Sequence, residues 1–346
     1  MDRSIIYLCR GHGYGHASRA RLILPALQAL AGGPHRVELA SAGAGVDYLR
    51  MYGITCVDLG IADTEDHSVR AGERIFDYLR GGDKPAVVFS DDLFFVPRMC
   101  AGLGIPCVLM MCSFYLTQGK PQVGVFLGSA DHIVLPDWPE VEPIPSRLSH
   151  KVTAIGPIVP DITVDRQSAR AALGIPESAF VATLALGRMY SVKSGILRQA
   201  ASVVVQAWSR APAGSRLLLL FDEREAEQTL GAVPQGPGIS LVGRSNQAST
   251  YYRASDVVFS VGGSTTNELV KNAIPTVAVC AKQSDERRRV EFLSHHAAVT
   301  VADGDEAAEE LWALVHAAIE RGTNPAQDLR WGSPAEIAGF LAPYLS

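Results

Sequence analysis

A glycine-rich segment in the second half of the chain has the residue types needed to bind an anion. Asp256–Ser260 holds three consecutive apolar residues, which is typical of a buried parallel strand. Gly262 and Gly263 follow and let the backbone turn tightly, and Ser264 opens a predicted helix that runs to about Asn272. A helix N-terminus presents unpaired N–H groups to an anion, and hydroxyls in its first turn add donors. The segment predicts a phosphate site, although ordinary Ser/Thr capping of a helix gives the same pattern.

A second glycine-rich loop follows the first predicted strand, Ile5–Cys9. The loop spans residues 10–16, alternates glycine with larger residues, and contains two histidines and a tyrosine. A helix is predicted from about Ser18 to Leu30, and Pro25 inside it predicts a kink or an early break. Several side chains that could take part in catalysis or binding therefore directly follow the first predicted strand.

Length and composition limit the kinds of protein to which a chain with these two loops can belong. A chain of 346 residues with 47% hydrophobic and 19% charged residues predicts a folded protein of about two domains. The net charge of −5 argues against a nucleic-acid partner. The six cysteines form no C-x-x-C pair, which predicts free thiols in the reducing cytoplasm. The opening apolar run is too short for a signal peptide, and no stretch is long enough for a transmembrane segment.

Strand and helix patterns alternate through both halves, which predicts an α/β fold with two doubly wound parallel sheets. The predicted strands of the first half are Ile5–Cys9, Val37–Ala40, Thr55–Leu59, Ala86–Ser90, Cys107–Cys112, Ile133–Leu135 and Val152–Ile155. Those of the second half are Phe180–Leu186, Arg216–Phe221, Ile239–Val242, Asp256–Ser260, Thr276–Cys280 and Val299–Val301. The proline-rich stretch 136–145 is predicted to be irregular. Two such halves are expected to face each other across a ligand cleft.

The predicted domain limits follow from a linker and from the end of the chain. Residues 1–158 form the first domain and residues 159–332 the second, joined near the Gly-Pro segment at 156–160. Ser333, a proline and Glu336 then give a capping-box start for a closing helix at 333–346. Packing of this helix back onto the first domain is one option.

Three motifs resemble those of the GT-B glycosyltransferases, in particular glycosyltransferase family 28, the group of the peptidoglycan N-acetylglucosaminyltransferase. They are the loop ending in Gly15-His16, the run Gly262–Glu268 with Pro275 seven residues beyond it, and the linker Ile155–Val159. The resemblance covers nearly the whole chain. It implies two Rossmann-like domains that carry out inverting, metal-independent glycosyl transfer from an NDP-sugar to a hydroxyl or amine acceptor. It places the acceptor on the N-terminal domain and the donor on the C-terminal domain.

The resemblance also implies the donor contacts. Residues 262–265 would hold the diphosphate by backbone and hydroxyl donors. Glu268 would accept hydrogen bonds from the ribose hydroxyls, although a solvated helix glutamate is the plainer interpretation. Arg188 would neutralise charge on the leaving diphosphate, and the base would lie against residues 243–246. The predicted donor-binding residues are Gly187, Arg188, Gly243, Arg244, Gly262, Gly263, Ser264, Thr265, Thr266, Glu268 and Gln283.

In the same way, His16 is implied as the general base that removes the acceptor proton. Many relatives hold the matching histidine with an aspartate from a later strand end, and Asp91 fits that place after Ala86–Ser90. Asp92 is an equal candidate, and a capped helix start with a surface aspartate is the structural alternative. The residues predicted to bind the acceptor are His12, Tyr14, Asp92 and Tyr115.

The chain departs from the family pattern in two places. Many relatives carry an Asp/Gln signature where this chain has residues 281–289, so Gln283 or Asp285 would have to substitute. The Arg287–Arg289 run is interpreted as a solvated helix face rather than a phosphate clamp. Arg19 is a further departure, because the peptidoglycan enzyme lacks it whereas a second group on the same fold has it.

That second group, the nucleotide-sugar hydrolases of the pseudaminic acid pathway, supplies the alternative in which His16 activates water. A non-hydrolytic sugar 2-epimerase and a non-catalytic nucleotide-sugar-binding partner protein are weaker alternatives. The apolar content of 114–145, including Phe126 and Trp138, favours transfer to a small-molecule acceptor such as a natural product. No D-x-D motif and no zinc-ligand spacing is present, so neither a metal nor a cofactor is expected. The expected nucleotide of the donor is UDP or dTDP.

Overall fold

The structure is a computed structural model that describes residues 4–62, 65, 68–112, 121–187, 194–232, 234–243, 245–280, 285–322 and 326–346. The strands are β1 Ile5–Cys9, β2 Val37–Ser41, β3 Val57–Asp58, β4 Val87–Asp91, β5 Cys107–Met110, β6 His132–Leu135, β7 Val152–Ala154, β8 Val181–Leu184, β9 Arg216–Leu219, β10 Ile239–Leu241, β11 Val257–Ser260, β12 Thr276–Val279 and β13 Val299–Ala302. The helices are α1 Gly15–Ala31, α2 Gly43–Met51, α3 Val69–Gly81, α4 Val96–Leu103, α5 Pro121–Gly128, α6 Arg166–Ala172, α7 Ser194–Trp208, α8 Glu223–Leu230, α9 Ala248–Ala254, α10 Ser264–Lys271, α11 Asp285–Ser294, α12 Ala308–Glu320 and α13 Pro334–Leu341. Within this part of the chain, no helix combines the length and apolar character needed to cross a membrane.

The first compact unit consists of Met1–Val159 and Arg330–Ser346. Its seven strands form one parallel sheet in the order β3-β2-β1-β4-β5-β6-β7. From β1 the chain adds β2 and β3 on one side, and it then adds β4 and the later strands on the other side, so the strand order reverses between β1 and β4. Cys9 lies opposite Asp91 at that point. Ligands bind at such reversal points in open α/β sheets, because the loops that leave the two strands diverge there. The loops after β1 and β4 therefore occupy the favoured place for a site.

The second compact unit is Pro160–Leu329. Its six parallel strands have the order β10-β9-β8-β11-β12-β13, so the reversal lies between β8 and β11. The loops that begin at Ala185 and at Val261 leave the sheet at this point. The predicted α/β class with two doubly wound parallel sheets is confirmed.

The closing helix α13 belongs to the core of the first unit. Ile337 and Leu341 are fully buried and pack in the same cluster as Ile23 and Leu27 of α1. The predicted capping box at its start is confirmed, because the Ser333 hydroxyl accepts from the N–H three residues on and the Glu336 carboxylate accepts from the Ser333 N–H. The sheet of the first unit is thus covered partly by residues from the end of the chain.

Two local predictions differ from the structure. Helix α1 begins at Gly15 rather than near Ser18, and it continues through Pro25, so the predicted early break does not occur. A proline inside a helix costs about 3 kcal/mol or more, but the buried Ile23, Leu24 and Leu27 on either side keep the helix against the core. Strand β3 has two exposed residues instead of the predicted five, as suits the edge of the sheet.

Candidate active site

The loop after β1 is held close to a neighbouring segment before it enters α1. A Cβ atom at Gly11 would collide with the Ala42 carbonyl group, so only glycine fits there. Gly13 adopts a left-handed conformation with φ 67°, and α1 begins two residues later. The turn places His16 in the first turn of α1, beside the end of β4.

His16 and Asp91 form a direct contact at this edge of the sheet. The Nδ1 atom of His16 lies 2.9 Å from Oδ1 of Asp91, and the Asp91 side chain is 0% exposed. Burial by itself would raise the pKa of Asp91, but Arg19 and His16 outweigh it and the pKa is lowered from its ordinary value. An ionised carboxylate only accepts hydrogen bonds, so we assign the ring proton to Nδ1. With this assignment, Arg19 Nη2, 3.0 Å from Nδ1, is a second donor near that atom and not its hydrogen-bond partner. The lone pair of the neutral ring is therefore on Nε2.

Asp92 approaches the other side of the same ring. Its Oδ2 atom lies 3.8 Å from His16 Nε2, and its side chain pairs with Arg10 and accepts from the Cys112 N–H at 3.2 Å. Asp92 has φ 61°, a conformation that is uncommon and strained for a residue other than glycine. The sequence left Asp91 and Asp92 as equal partners of His16. The structure places Asp91 at Nδ1 and Asp92 beside Nε2.

Arg19 and Cys112 complete the cluster, and neither was predicted as a site residue. The Nη2 atom of Arg19 lies 2.8 Å from Asp91 Oδ1, 3.0 Å from His16 Nδ1 and 2.9 Å from Cys112 Sγ. Burial opposes the charge of Arg19, but Asp91 and Cys112 raise its pKa well above the ordinary value. Burial also raises the pKa of the Cys112 thiol, against the effect of Arg19, so this thiol is neutral near pH 7.

The ligand atoms of His16, Asp91 and Cys112 lie within 4.8 Å of one another, a spacing that could hold a metal ion. The Arg19 guanidinium nitrogen already makes a close contact with all three atoms. A metal ion at this place would have to displace a buried cation that is paired with Asp91. The arrangement fits a guanidinium rather than a metal.

The predicted acceptor residues are only partly accounted for. His12 and Tyr14 are half-buried on the loop that leads to His16, and the Tyr14 ring centroid lies 5.1 Å from that of Tyr48. Tyr115 lies outside the described residues. Trp138, which the sequence assigned to an apolar acceptor surface, is 3% exposed and donates from Nε1 to the Arg330 carbonyl oxygen at 2.9 Å. It belongs to the core of the first unit, so that assignment is corrected.

In the second unit, the glycine turn after β11 leads into α10 as predicted. Gly262 has φ 76°, and a Cβ atom there would lie 2.7 Å from Cβ of Glu286 and 2.9 Å from Sγ of Cys280. Gly263 is the N-cap of α10, and a Cβ atom there would meet nothing within 4 Å. No side chain among the described residues caps this helix, so its first N–H groups can be offered to an anion.

The side chains of the first turn divide into two sets. Ser264 is exposed and Thr265 half-buried, whereas Thr266 is fully buried with its hydroxyl 2.8 Å from Ser260 Oγ. Thr266 thus ties α10 to β11 and is not placed to donate to a ligand, which corrects its predicted role. Glu268 lies one turn into α10 and is half-buried.

The remaining predicted donor residues lie around this edge of the sheet or outside the described part. Gly187 is exposed with φ 68° after β8, the strand that pairs with β11. Gly243 has φ 73° after β10. Three predicted donor residues lie outside the described residues: Arg188, Arg244 and Gln283.

One arginine of the 287–289 run lies at the glycine turn. Arg288 is exposed, as a solvated helix face requires, whereas Arg287 is half-buried and pairs with Glu291 and Asp303. Arg289 instead donates from Nη1 to the Gly262 carbonyl oxygen at 3.4 Å and is half-buried. The interpretation of the whole run as a solvated face is therefore wrong for Arg289, and the sequence carried no signal that separated it from its neighbours.

Comparison with known proteins rests on structure alone, because no protein-family model and no curated protein matches the chain. The spinosyn forosaminyltransferase SpnP superposes with TM-score 0.70 at 16% identity, covering 99% of both chains. The spinosyn rhamnosyltransferase SpnG, complexed with thymidine diphosphate, gives TM-score 0.67 at 17% identity over 98% of this chain and 99% of its own. A UDP-GlcNAc 2-epimerase from Neisseria meningitidis, bound to UDP-GlcNAc, gives TM-score 0.67 at 14% identity over 99% of both chains. The chain therefore has the fold of GT-B glycosyltransferases, two Rossmann-like α/β halves built on parallel sheets.

Proposed function

We propose that this protein is an inverting, metal-independent glycosyltransferase that moves a sugar from an NDP-sugar to a hydroxyl or amine of a small-molecule acceptor. The observation that carries the proposal is the 2.9 Å contact between His16 Nδ1 and buried Asp91, which leaves Nε2 with a free lone pair. His16 lies at the point where the strand order of the first sheet reverses. The N-terminus of α10, which no side chain among the described residues caps, lies at the corresponding point of the second sheet.

The reaction follows from these groups. Nε2 of His16 takes the proton of the acceptor while the acceptor oxygen or nitrogen attacks the anomeric carbon. The bond between that carbon and the phosphate oxygen breaks, and the nucleoside diphosphate leaves with the electron pair. One displacement inverts the anomeric centre. Asp91 stabilises the imidazolium that forms, and a positioned base of this kind contributes roughly 10²–10⁴-fold.

The second unit supplies the donor site in this proposal. The first N–H groups of α10, with Gly263, Ser264 and Thr265, bind the diphosphate, and Glu268 binds the ribose hydroxyls. The TDP complex of SpnG and the UDP-GlcNAc complex of the epimerase support dTDP or UDP as the nucleotide. Helix N–H groups and arginine side chains can stabilise the leaving diphosphate without a metal ion. The glycosyltransferases of spinosyn and kitacinnamycin support a natural-product acceptor.

Hydrolysis of the nucleotide sugar is the second candidate, because of one specific distance. Asp92 Oδ2 lies 3.8 Å from His16 Nε2, so a nucleophile between them can donate one hydrogen bond to each acceptor, and His16 takes the single proton that is transferred. Water carries two such hydrogens, and so does a primary amine, whereas a simple alcohol carries one. Because the fold is similar to that of the 2-epimerase, an epimerised nucleotide sugar is a third product to look for.

The first experiment is calorimetric titration with UDP, dTDP and GDP without added metal. Tight binding of one nucleotide supports the donor site and names the base. Sugar nucleotides of that base are then incubated with and without candidate acceptors, and products are separated by mass spectrometry and NMR. A glycosylated acceptor supports transfer, free sugar without acceptor supports hydrolysis, and an epimerised nucleotide sugar supports the third reaction. Failure of all three nucleotides to bind contradicts the proposed donor site.

A further inference from the structure

Asn267 is a buried residue of α10 to which the proposed reaction gives no role. It lies within the run Gly262–Glu268 and is only 7% exposed. Its Oδ1 atom nevertheless has no hydrogen-bond partner among the described residues. A buried polar atom without a partner destabilises a fold, and most such atoms in native proteins are paired. The amide of Asn267 therefore has a function that packing of the second unit does not account for.

The neighbouring residue Thr266 fixes the orientation of the first turn of α10. Its hydroxyl lies 2.8 Å from Ser260 Oγ, and its N–H donates to the Gly263 carbonyl oxygen at 3.0 Å. The two bonds hold the turn against the end of β11. Successive residues of a helix are about 100° apart around its axis, so Asn267 does not share this contact with the strand.

Asn267 lies on the open side of the glycine turn. It follows Gly263 by four residues, which is about one helical turn, so the two residues are on the same side of α10. Helical side chains lean toward the N-terminus of their helix and cover the preceding turn. A Cβ atom at Gly263 would meet nothing within 4 Å, so there is space at this place. The amide of Asn267 therefore borders the proposed diphosphate site.

The unpaired atom is an acceptor, which limits the ligand group that it can bind. The oxygens of a diphosphate accept hydrogen bonds, so they are complementary to the first N–H groups of α10 and not to a carbonyl oxygen. The transferred sugar is attached directly to the diphosphate of an NDP-sugar, and its hydroxyl groups can donate. Glu268, the residue proposed to bind the ribose, lies about 100° further around the helix than Asn267. A hydroxyl of the transferred sugar is thus the complementary group beside the diphosphate.

We infer that Asn267 is a donor-binding residue whose amide oxygen accepts a hydrogen bond from a hydroxyl of the transferred sugar. The inference rests on the proposed function, because it requires an NDP-sugar at the start of α10. It adds to that function a residue that recognises the sugar rather than the nucleotide. The free protein then holds an unpaired amide that the bound sugar pairs, so Asn267 contributes to binding and not to stability.

The test measures binding and stability of Asn267→Ala. Calorimetry without added metal gives the affinities for UDP and dTDP and for UDP-glucose, UDP-N-acetylglucosamine and dTDP-glucose. The affinity of Asn267→Ala for the sugar nucleotide that wild type binds most tightly should fall roughly 3–10-fold, as loss of one neutral hydrogen bond does. Its affinity for the corresponding free nucleotide should stay within about twofold of wild type, because that compound lacks the sugar.

Asn272→Ala is the matched control for stability, because the Asn272 amide is paired at both ends. Its Oδ1 atom accepts from the Ile162 N–H at 2.7 Å, and its Nδ2 atom donates to the carbonyl oxygens of Pro160 and Glu268 at 3.0 and 2.8 Å. Asn272→Ala should therefore lower the melting temperature. Asn267→Ala should instead raise it by about 2–4 °C, since an unpaired polar atom is removed and alanine favours the helix.

Weaker binding of the sugar nucleotide alone, without loss of stability, supports the inference. Equal losses for the free nucleotide and the sugar nucleotide would overturn it, because the amide would then bind the diphosphate or the ribose. Unchanged affinity, as expected where an ordered water pairs with the amide, would overturn it as well. A fall in melting temperature like that of Asn272→Ala would show that the amide serves the fold, which also overturns the inference. Failure of wild type to bind any sugar nucleotide would contradict the proposed function, and the inference would fall with it.

Discussion

Nδ1 of His16 lies 2.9 Å from Oδ1 of Asp91, although 75 residues separate the two in the sequence. The contact exists because β1 and β4 are adjacent parallel strands with Cys9 opposite Asp91. His16 follows β1 by one short loop, and Asp91 is the last residue of β4. Adjacent parallel strands end at the same edge of the sheet, which brings the base and its partner together.

Replacement of His16 by alanine should lower turnover roughly 10²–10⁴-fold, because the acceptor proton then has no positioned base. Nucleotide affinity should be unchanged, since the proposed phosphate contacts belong to the second unit. His35→Ala, at an exposed histidine of the first unit, is the matched control. Single-turnover kinetics and calorimetry measure the two quantities. Wild-type turnover in His16→Ala would remove the base assignment and direct attention to Asp91 and Asp92.

The ion pair between Asp91 and Arg19 should make the folded protein less stable as the pH falls into the acidic range. The pKa of Asp91 is lowered in the folded protein, so its contribution is complete above the ordinary aspartate pKa of about 4. That contribution is lost as the pH falls from there through the lowered value. Asp91→Asn leaves Arg19 buried without its anion, and we expect it to cost roughly 3–5 kcal/mol near pH 7.

Urea unfolding of wild type and Asp91→Asn between pH 7 and pH 3 measures this effect. The difference in the free energy of unfolding should be constant near neutral pH and should shrink below about pH 4. A difference that does not change with pH would show that Asp91 contributes packing rather than charge.

The two adjacent glycines of the α10 turn should respond differently to a single methyl group. Gly262→Ala should destabilise the fold, because φ is 76° and the new Cβ would lie 2.7 Å from Glu286 Cβ. Gly263→Ala should leave the melting temperature nearly unchanged, since φ is −84° and nothing lies within 4 Å of the new atom. It should instead weaken nucleotide binding, because the methyl group enters the proposed phosphate site. Thermal unfolding and calorimetry of the two variants give the comparison, and equal nucleotide affinity of Gly263→Ala and wild type would argue against a phosphate at this turn.

Arg289 and Arg288 form a second matched pair. Arg289 reaches the Gly262 carbonyl group, whereas Arg288 is exposed on the same helix. The contact with Gly262 holds the Arg289 guanidinium beside the proposed phosphate site, where we expect it to bind the diphosphate. Arg289→Gln should therefore weaken binding of the nucleoside diphosphate by about 1–3 kcal/mol, as loss of a hydrogen bond to a charged group does. Diphosphate binding by the Arg289→Gln variant should also depend less strongly on salt concentration than binding by wild type. The Arg288→Gln variant should bind the diphosphate as wild type does. Equal losses in the two variants would indicate a general electrostatic effect of α11.

The sequence predicted the parts of this protein that short-range patterns encode. The apolar runs of β1, β4 and β11, the glycine turn at residues 262–263 and the capping box at Ser333 depend on neighbouring residues, and the structure has each of them. The strand and helix alternation was enough to predict two parallel sheets. Boundaries were less accurate, as at α1, because packing of Ile23, Leu24 and Leu27 outweighs the local preference of Pro25.

The tertiary structure alone decided which distant side chains meet. Asp91 rather than Asp92 contacts Nδ1, and Arg19 reaches Cys112 across 93 residues. Arg289 contacts Gly262, whereas its neighbour Arg288 faces solvent. These contacts depend on strand order, and the sheets run β2-β1-β4 and β9-β8-β11 rather than in chain order. A local pattern predicts that a strand exists, but the identity of its neighbours is a property of the whole sheet, and so are the contacts made at its end.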